Sequence, residues 1–262
     1  MRFGQDHLIS VLSHRSHVLW ALGYPDAALA DPESVIKDAR QIGQAPTLMF
    51  ALSGTVTTHI YCRNYAAASA LADELVAMAD QKGASYWKAL GILEKGSLFA
   101  AAGKPLDAVQ IITSGLATMR STGTTLYTPF YLSYLAGAHA ELGEFDDAWR
   151  SIVEALTAVG TTKETFQEAE INRVAGEIAL KSREADAAKA EEFFNRALAV
   201  ARQQQAKSWE LRAAMSMARL WRDQGKRDEA RELLAPVYCW FTEGFDTLDL
   251  KEAKALLAEL AS

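Results

Sequence analysis

Small, bulky and polar positions repeat along this chain at a fixed interval. One short segment recurs as Gly23-Tyr-Pro-Asp-Ala-Ala28, Arg63-Asn-Tyr-Ala-Ala-Ala68, Gly103-Lys-Pro-Leu-Asp-Ala108, Gly143-Glu-Phe-Asp-Asp-Ala148 and Gly225-Lys-Arg-Asp-Glu-Ala230. Its first residues stand at 23, 63, 103 and 143, a spacing of 40. The step from 143 to 225 leaves room for one more copy. That copy turns near Ser182-Arg183, with Glu184 to Ala187 absorbing the extra residues. Four residues before each turn stand Leu19, His59, Phe99, His139 and Trp221. Seven before stand Ser16, Val56, Gly96, Ala136 and Ala218, mostly small. Sixteen before stand Thr47, Trp87, Tyr127 and Trp209, with Phe166 in the displaced copy. Gly43, Gly83, Gly123 and Gly244 follow each turn by about 20 residues, and Gly160 comes slightly early.

The pattern predicts helix hairpins. Glycine ends a helix because the position after the last turn commonly takes a left-handed backbone. Proline or an acidic residue then opens the next helix. The alanine five residues on is small enough for two helices to pack closely. The expected elements are six hairpins, over 5–43, 44–83, 84–123, 124–160, 163–205 and 206–244, and a capping helix over 246–260. A small residue, a bulky one, glycine and then alanine is the tetratricopeptide pattern, here longer than that motif's roughly 34 residues. Such repeats bury their apolar faces only by stacking. The expected fold is therefore all-α: a right-handed α-solenoid forming one domain over 1–262.

The prolines fit with adjustments. Pro129 suits the first turn of a helix after Thr128. Pro32 either restarts or kinks its helix, and Pro236 bends the last hairpin. Asp246 is placed to cap the final helix, whose Leu250, Ala253, Leu257 and Leu260 share one face.

Composition narrows the function. The chain is 50% hydrophobic and 23% charged, enough apolar content for a core. Its net charge is −6, and the densest basic stretch, Arg219 to Arg231, is interrupted by Asp223, Asp228 and Glu229. That excludes a nucleic-acid stripe and gives no basic patch for a membrane surface. Cys62 and Cys239 are too few for a disulfide scaffold, and no long apolar run marks a signal or membrane segment. The expectation is a cytoplasmic protein.

Candidate chemistry is thin. His7, His14 and His17 share a helical stripe that zinc could use, but a polar face on an end helix has the same spacing. We expect no metal and no cofactor. His59 and His139 occupy the bulky slot of Phe99 and Trp221, so packing is expected of them. Cys62 has no placed His or Asn partner. Trp87, Trp209 and Trp221 sit in repeat slots and read as core. The first helix of each hairpin should line a concave groove, with inner positions 13, 10, 6 and 3 before each turn. The middle hairpins then present Phe50, Leu90, Leu93 and Phe130 with Ser53, Thr57, Ser97 and Ser133. The last ones present Arg173, Arg212, Arg219 and Arg222 with Glu170 and Glu177. An extended segment bearing a carboxylate or phosphate would suit such a groove, because the arginine fork binds these groups bidentately. The alternative is that the arginines pair with Glu170, Glu177 or Glu210.

The C-terminal runs Trp209-Glu-Leu-Arg-Ala-Ala-Met215, Leu220-Trp-Arg-Asp-Gln-Gly-Lys-Arg-Asp-Glu-Ala230, Leu233-Leu-Ala-Pro-Val-Tyr238, Trp240-Phe-Thr-Glu-Gly-Phe-Asp-Thr247 and Leu250-Lys-Glu-Ala-Lys-Ala-Leu-Leu257 are distinctive. They resemble the C-terminal tetratricopeptide-like region of bacterial multidomain adenylate/guanylate cyclase or P-loop signalling ATPase proteins. Phe3-Gly-Gln-Asp-His7 and Leu19-Trp-Ala-Leu-Gly-Tyr-Pro-Asp-Ala27 resemble an internal stretch of the same region. The cyclase's metal-binding aspartates and the ATPase's phosphate loop are not in this sequence, so the resemblance implies no activity here. It implies a non-catalytic interaction or regulatory module that begins mid-solenoid. Its partners would be a protein, a peptide or upstream domains of the same polypeptide, and its first helix would expose a face for self-association. A stand-alone adaptor holding a peptide or small anionic ligand in the groove is the alternative.

Overall fold

A computed structural model describes residues 6–182 and 184–261. Phe3 to Gln5 of the N-terminal stretch and Arg183 of the fifth turn lie outside the described residues. Thirteen α-helices and no strand occur among the described residues: α1 (His7–Ala21), α2 (Pro25–Ile42), α3 (Ala45–Tyr61), α4 (Tyr65–Gln81), α5 (Ser85–Ala101), α6 (Pro105–Ser121), α7 (Thr128–Glu141), α8 (Phe145–Thr162), α9 (Glu168–Lys181), α10 (Ala187–Gln203), α11 (Lys207–Asp223), α12 (Arg227–Cys239) and α13 (Leu248–Leu260). The fold is an all-α solenoid of stacked helix hairpins. It divides into two compact units, one reaching Thr125 and the other running from Leu126, with Ala21–Gly23 grouped with the second.

The backbone explains the repeat. At each regular turn the residue after the turn position donates its N–H back to the carbonyl five residues earlier, a helix-closing Schellman bond. The bonds are Tyr24 to Leu19 (2.9 Å), Asn64 to His59 (2.8 Å), Lys104 to Phe99 (3.0 Å), Glu144 to His139 (2.9 Å) and Lys226 to Trp221 (2.8 Å). This geometry needs positive φ at the turn position, which Gly23, Gly103, Gly143 and Gly225 supply. Arg63 takes the same conformation, with φ of 56°. The slot four residues before the turn is therefore fixed by its carbonyl, which leaves its side chain free to vary. The alanine five residues after each turn donates to the first residue's neighbour and opens the second helix. Ala28, Ala68, Ala108, Ala148 and Ala230 are all completely buried, as is Ala190 in the irregular hairpin.

The irregular positions have local causes. α9 ends in extended backbone at Ser182, and Asp186 caps α10 by accepting from the Lys189 N–H at 2.9 Å. Gly160 does not end its helix: α8 continues to Thr162 and closes on Lys163, which takes φ of 63°. α2 is one helix with Pro32 buried inside it, so the chain does not restart there. α12 likewise continues past Pro236 to Cys239. Thr247, not Asp246, is the residue preceding the final helix, and its hydroxyl donates to the Gly244 carbonyl at 2.6 Å. On that helix Leu256, rather than Leu257, joins Leu250, Ala253 and Leu260 in the buried face.

In the first unit, Ile36, Met49, Leu52 and Leu75 form one buried cluster, and Ile9, Val35, Ala39 and Ala51 another. In the second, Phe194, Leu211, Met215, Leu234, Val237 and Leu250 belong to a continuous core through the last two hairpins and α13. No helix among the described residues is long and apolar enough to cross a membrane.

Candidate functional site

The arginine stripe of the second unit is occupied from within. Arg212, Arg219 and Arg222 lie on one face of α11, and α13 presents Asp249, Glu252 and Glu259 to them. Arg212 Nε donates to Asp249 Oδ2 at 2.9 Å, and its guanidinium lies 5.1 Å from the Trp209 ring centre. Arg219 meets Glu252 at 3.3 Å, and Arg222 meets Glu259 at 2.7 Å and Asp223 at 2.9 Å. Arg173 on α9 binds both oxygens of Glu170 at 2.7 and 2.8 Å and reaches Glu177 at 3.3 Å. Burial by itself would weaken the hold of Arg173 and Arg212 on their protons. The carboxylates of Glu170 and Glu177 around Arg173, and of Asp249 and Glu170 around Arg212, reverse this and raise both above the usual arginine range. Glu210, the other expected partner, instead pairs with Arg202 at 2.9 Å and Lys207 at 2.7 Å.

The expected apolar stretch is largely interior. Leu90 and Phe130 are each 2% exposed and Leu93 is fully buried, so these side chains serve the core. Ser53, Thr57, Ser97 and Ser133 are also buried. Phe50 is different. It is partly exposed and continues a row of rings over three successive first helices. His14 on α1 lies 5.7 Å from Phe50 on α3, and Phe50 lies 6.0 Å from Trp87 on α5. Tyr86 adds an edge-on ring 5.0 Å from Trp87. His14 is exposed, and Trp87 and Tyr86 are partly exposed.

Beside this row is a buried carboxyl group that sequence reasoning missed. Glu94 on α5 has no exposed surface, and Ser53 Oγ donates to its Oε1 at 2.6 Å. Its Oε2 is buried without a hydrogen-bond partner among the described residues. Burial pushes the Glu94 carboxyl up to about 8, against the hydrogen bond from Ser53 that favours the ionised form. The available signal was a lone charge in the run Leu90-Gly-Ile-Leu-Glu94, where the preceding repeat has Gly54 and the next has Tyr134.

The first unit also carries two grooves that share three repeat positions. One, about 570 Å³, lies between α2 and α4 over α3 and is walled by Pro32, Ile36 and Leu71 with Glu33, Thr55 and His59. The other, about 380 Å³, holds Asp73, Lys95 and Phe99 at the positions 40 residues on from Glu33, Thr55 and His59. Lys95 and Asp73 form an ion pair at 2.6 Å.

The remaining candidates are dispersed. His14 Nδ1 bonds the Ser10 carbonyl at 2.8 Å and His17 Nε2 the Gly54 carbonyl at 2.9 Å. His7 is exposed, and the three do not converge as metal ligands. Burial pushes His17 down to about 4, against the Gly54 hydrogen bond. His139 is not a plain packing residue: its Nδ1 lies 2.7 Å from Glu144 Oε2, and with Asp147 these make the one His/acid group of ligand-like spacing among the described residues. His59 is partly buried, and Nδ1 lacks a hydrogen-bond partner there. Trp209 is core at 2% exposure, while Trp87 and Trp221 are only partly buried, and Trp221 Nε1 donates to Glu191 at 3.2 Å. Cys62 is buried and Cys239 exposed, and neither forms a disulfide among the described residues.

No family model matches the chain, and no curated protein sequence does. Among solved structures, the apo form of RapI is similar over 98% of this chain and 88% of its own, with a TM-score of 0.65 and 11% identity. A Rap protein complexed with competence and sporulation factor is similar over 97% of this chain and 80% of its own, with a TM-score of 0.63 and 12% identity. At these identities the likeness is one of fold, and the fold is that of tetratricopeptide-like helical repeats.

Proposed function

We propose that this chain is a non-catalytic repeat module that binds a segment of a partner protein or peptide along the first helices of its N-terminal hairpins. The observation that carries the reading is the row His14, Phe50, Trp87 and Tyr86. Partly exposed aromatic rings in contact across three stacked helices offer a continuous strip to an extended chain, and such rings dominate recognition surfaces. The likeness of fold to a Rap protein solved with competence and sporulation factor supports the same reading. Selection from a random peptide library on the isolated chain tests it. A selected peptide should bind saturably, one per chain, and Phe50→Ala together with Trp87→Ala should weaken it by at least about tenfold, the effect of losing one anchor ring. Peptides that bind the double variant equally well would refute the strip.

A second reading keeps Arg173, Arg212, Arg219 and Arg222 as contacts for an anionic segment. It is favoured by the acidic face of α13, which would stand in for that segment until displaced. Unchanged affinity for an acidic peptide after charge reversal at Arg212 and Arg219 would exclude it. The link to a cyclase or P-loop signalling ATPase rests on the C-terminal runs around Trp209 to Leu257, and the reading frame upstream of Met1 tests it. Self-association through α1 is favoured by Leu8 and Val11, 61% and 62% exposed, and is tested by sedimentation at rising concentration.

A further inference from the structure

The two grooves of the first unit share three repeat positions, and at those positions one repeat carries an internal ion pair while the other does not. In the groove of α4 and α5, Lys95 lays its aliphatic stem along the wall and delivers its ammonium to Asp73 at 2.6 Å. Phe99 lines the same groove. Forty residues earlier the acid is kept as Glu33, but Thr55 replaces the lysine and His59 the phenylalanine. The groove between α2 and α4 has a volume of about 570 Å³. Its acid makes no ion pair among the described residues, and the His59 Nδ1 at its wall is buried and unpartnered. Apolar surface of Pro32, Ile36 and Leu71 lines the part that a stem would cover.

We propose that this groove takes the side chain of a lysine from a partner protein, the stem lying on Ile36 and Leu71 and the ammonium replacing Lys95 of the neighbouring repeat. The ammonium donates to the Glu33 carboxylate, beside the His59 ring. Burial lowers the His59 pKa, although the charge of Glu33 raises it, so the ring adds no positive charge beside the ammonium at neutral pH. Two cations border the site on α2. Arg40 is held at 2.9 Å by both oxygens of Glu74, and Lys37 is exposed one turn from Glu33. They define the rival occupant, a carboxylate, which the test includes. The proposal does not depend on the aromatic row, which lies on different side chains.

The test is titration of the chain at pH 7 with n-hexylammonium, hexanol and hexanoate, followed through the His59 ring resonances, which a His59→Gln variant assigns. Hexylammonium should move these resonances saturably, in the roughly millimolar range of so small a ligand, and hexanol and hexanoate should not. Glu33→Gln should weaken the response about tenfold or more, the loss of a charge-assisted hydrogen bond. Thr55→Lys should abolish it by installing the lysine that the next repeat already carries. Equal response to hexanoate or hexanol, no saturable response to hexylammonium, or an undiminished response in the Glu33→Gln variant would each overturn the proposal. Should Thr55→Lys fail to fold, Glu33→Gln decides alone, because Glu33 is exposed and its replacement leaves the core untouched.

Discussion

Replacing Glu94 by glutamine should make the protein more stable at alkaline pH and remove one proton from its pH dependence. The carboxyl group is completely buried, accepts one hydrogen bond from Ser53 and leaves Oε2 without a partner. A folded-state pKa above the unfolded value means that the folded chain binds the extra proton between the two values. Stability must then fall as pH rises through that window. At about 1.4 kcal/mol per pH unit, the gap between about 8 and the ordinary 4.5 amounts to a penalty on the order of 5 kcal/mol once pH exceeds 8. Glutamine has the same shape, keeps an acceptor for Ser53 and cannot ionise. Urea unfolding followed by circular dichroism at pH 5, 6, 7 and 8 gives the two profiles. The wild-type midpoint should drop steadily relative to the variant, the difference growing by about 1.4 kcal/mol per pH unit. His17 contributes with opposite sign, because its lowered pKa stabilises the fold above the unfolded value near 6.5 and loses this as pH falls towards about 4. That contribution is common to both proteins and cancels in the difference. Parallel profiles from pH 5 to 8 would refute the assignment of a buried, protonated Glu94.

Three further outcomes follow from the same geometry. Arg212→Ala, which strands the buried Asp249, should cost about 3 kcal/mol or more; Arg219→Ala, at a pair whose arginine is 40% exposed, should cost under about 1 kcal/mol; equal costs by chemical denaturation would contradict the picture of α13 clamped at one end. Arg63→Gly should raise the thermal midpoint, since it relieves a non-glycine residue held at φ of 56° by about 1 kcal/mol; a lower midpoint would show that the arginine side chain outweighs its backbone. Gly54→Ala should destabilise by about 1–3 kcal/mol, because the new methyl would stand 2.7 Å from Ser13 Cβ; the Ser13→Gly, Gly54→Ala double variant should recover much of this, and no recovery in thermal melts would place the clash elsewhere.

The periodicity of glycine, bulky residue and alanine was enough to read the hairpins, because those slots answer to local backbone geometry. A left-handed turn, a Schellman carbonyl and an alanine at a helix–helix contact involve only residues close in sequence. The same locality misleads about a slot's side chain, which need not share its backbone's role. His139 points to Glu144 and Asp147, and His59 borders a groove, although both occupy the slot of Phe99. Gly160 has the residue type of a turn position, yet Lys163 closes the helix with φ of 63°.

Sequence alone thus determined the all-α repeat, its register and the irregular fifth turn. Only the tertiary structure decided what the inner side chains meet. The partners of Arg212, Arg219 and Arg222 stand 33 to 37 residues away on α13, and that of Glu94 stands 41 residues away on α3. Such pairings depend on how one hairpin stacks on the next, which a repeat spacing does not encode. The contrast between Lys95, paired with Asp73, and Thr55, its counterpart in the repeat before, became legible when sequence register and structure were laid together. The register showed which residues correspond, and the packed helices showed that only one of them reaches its acid.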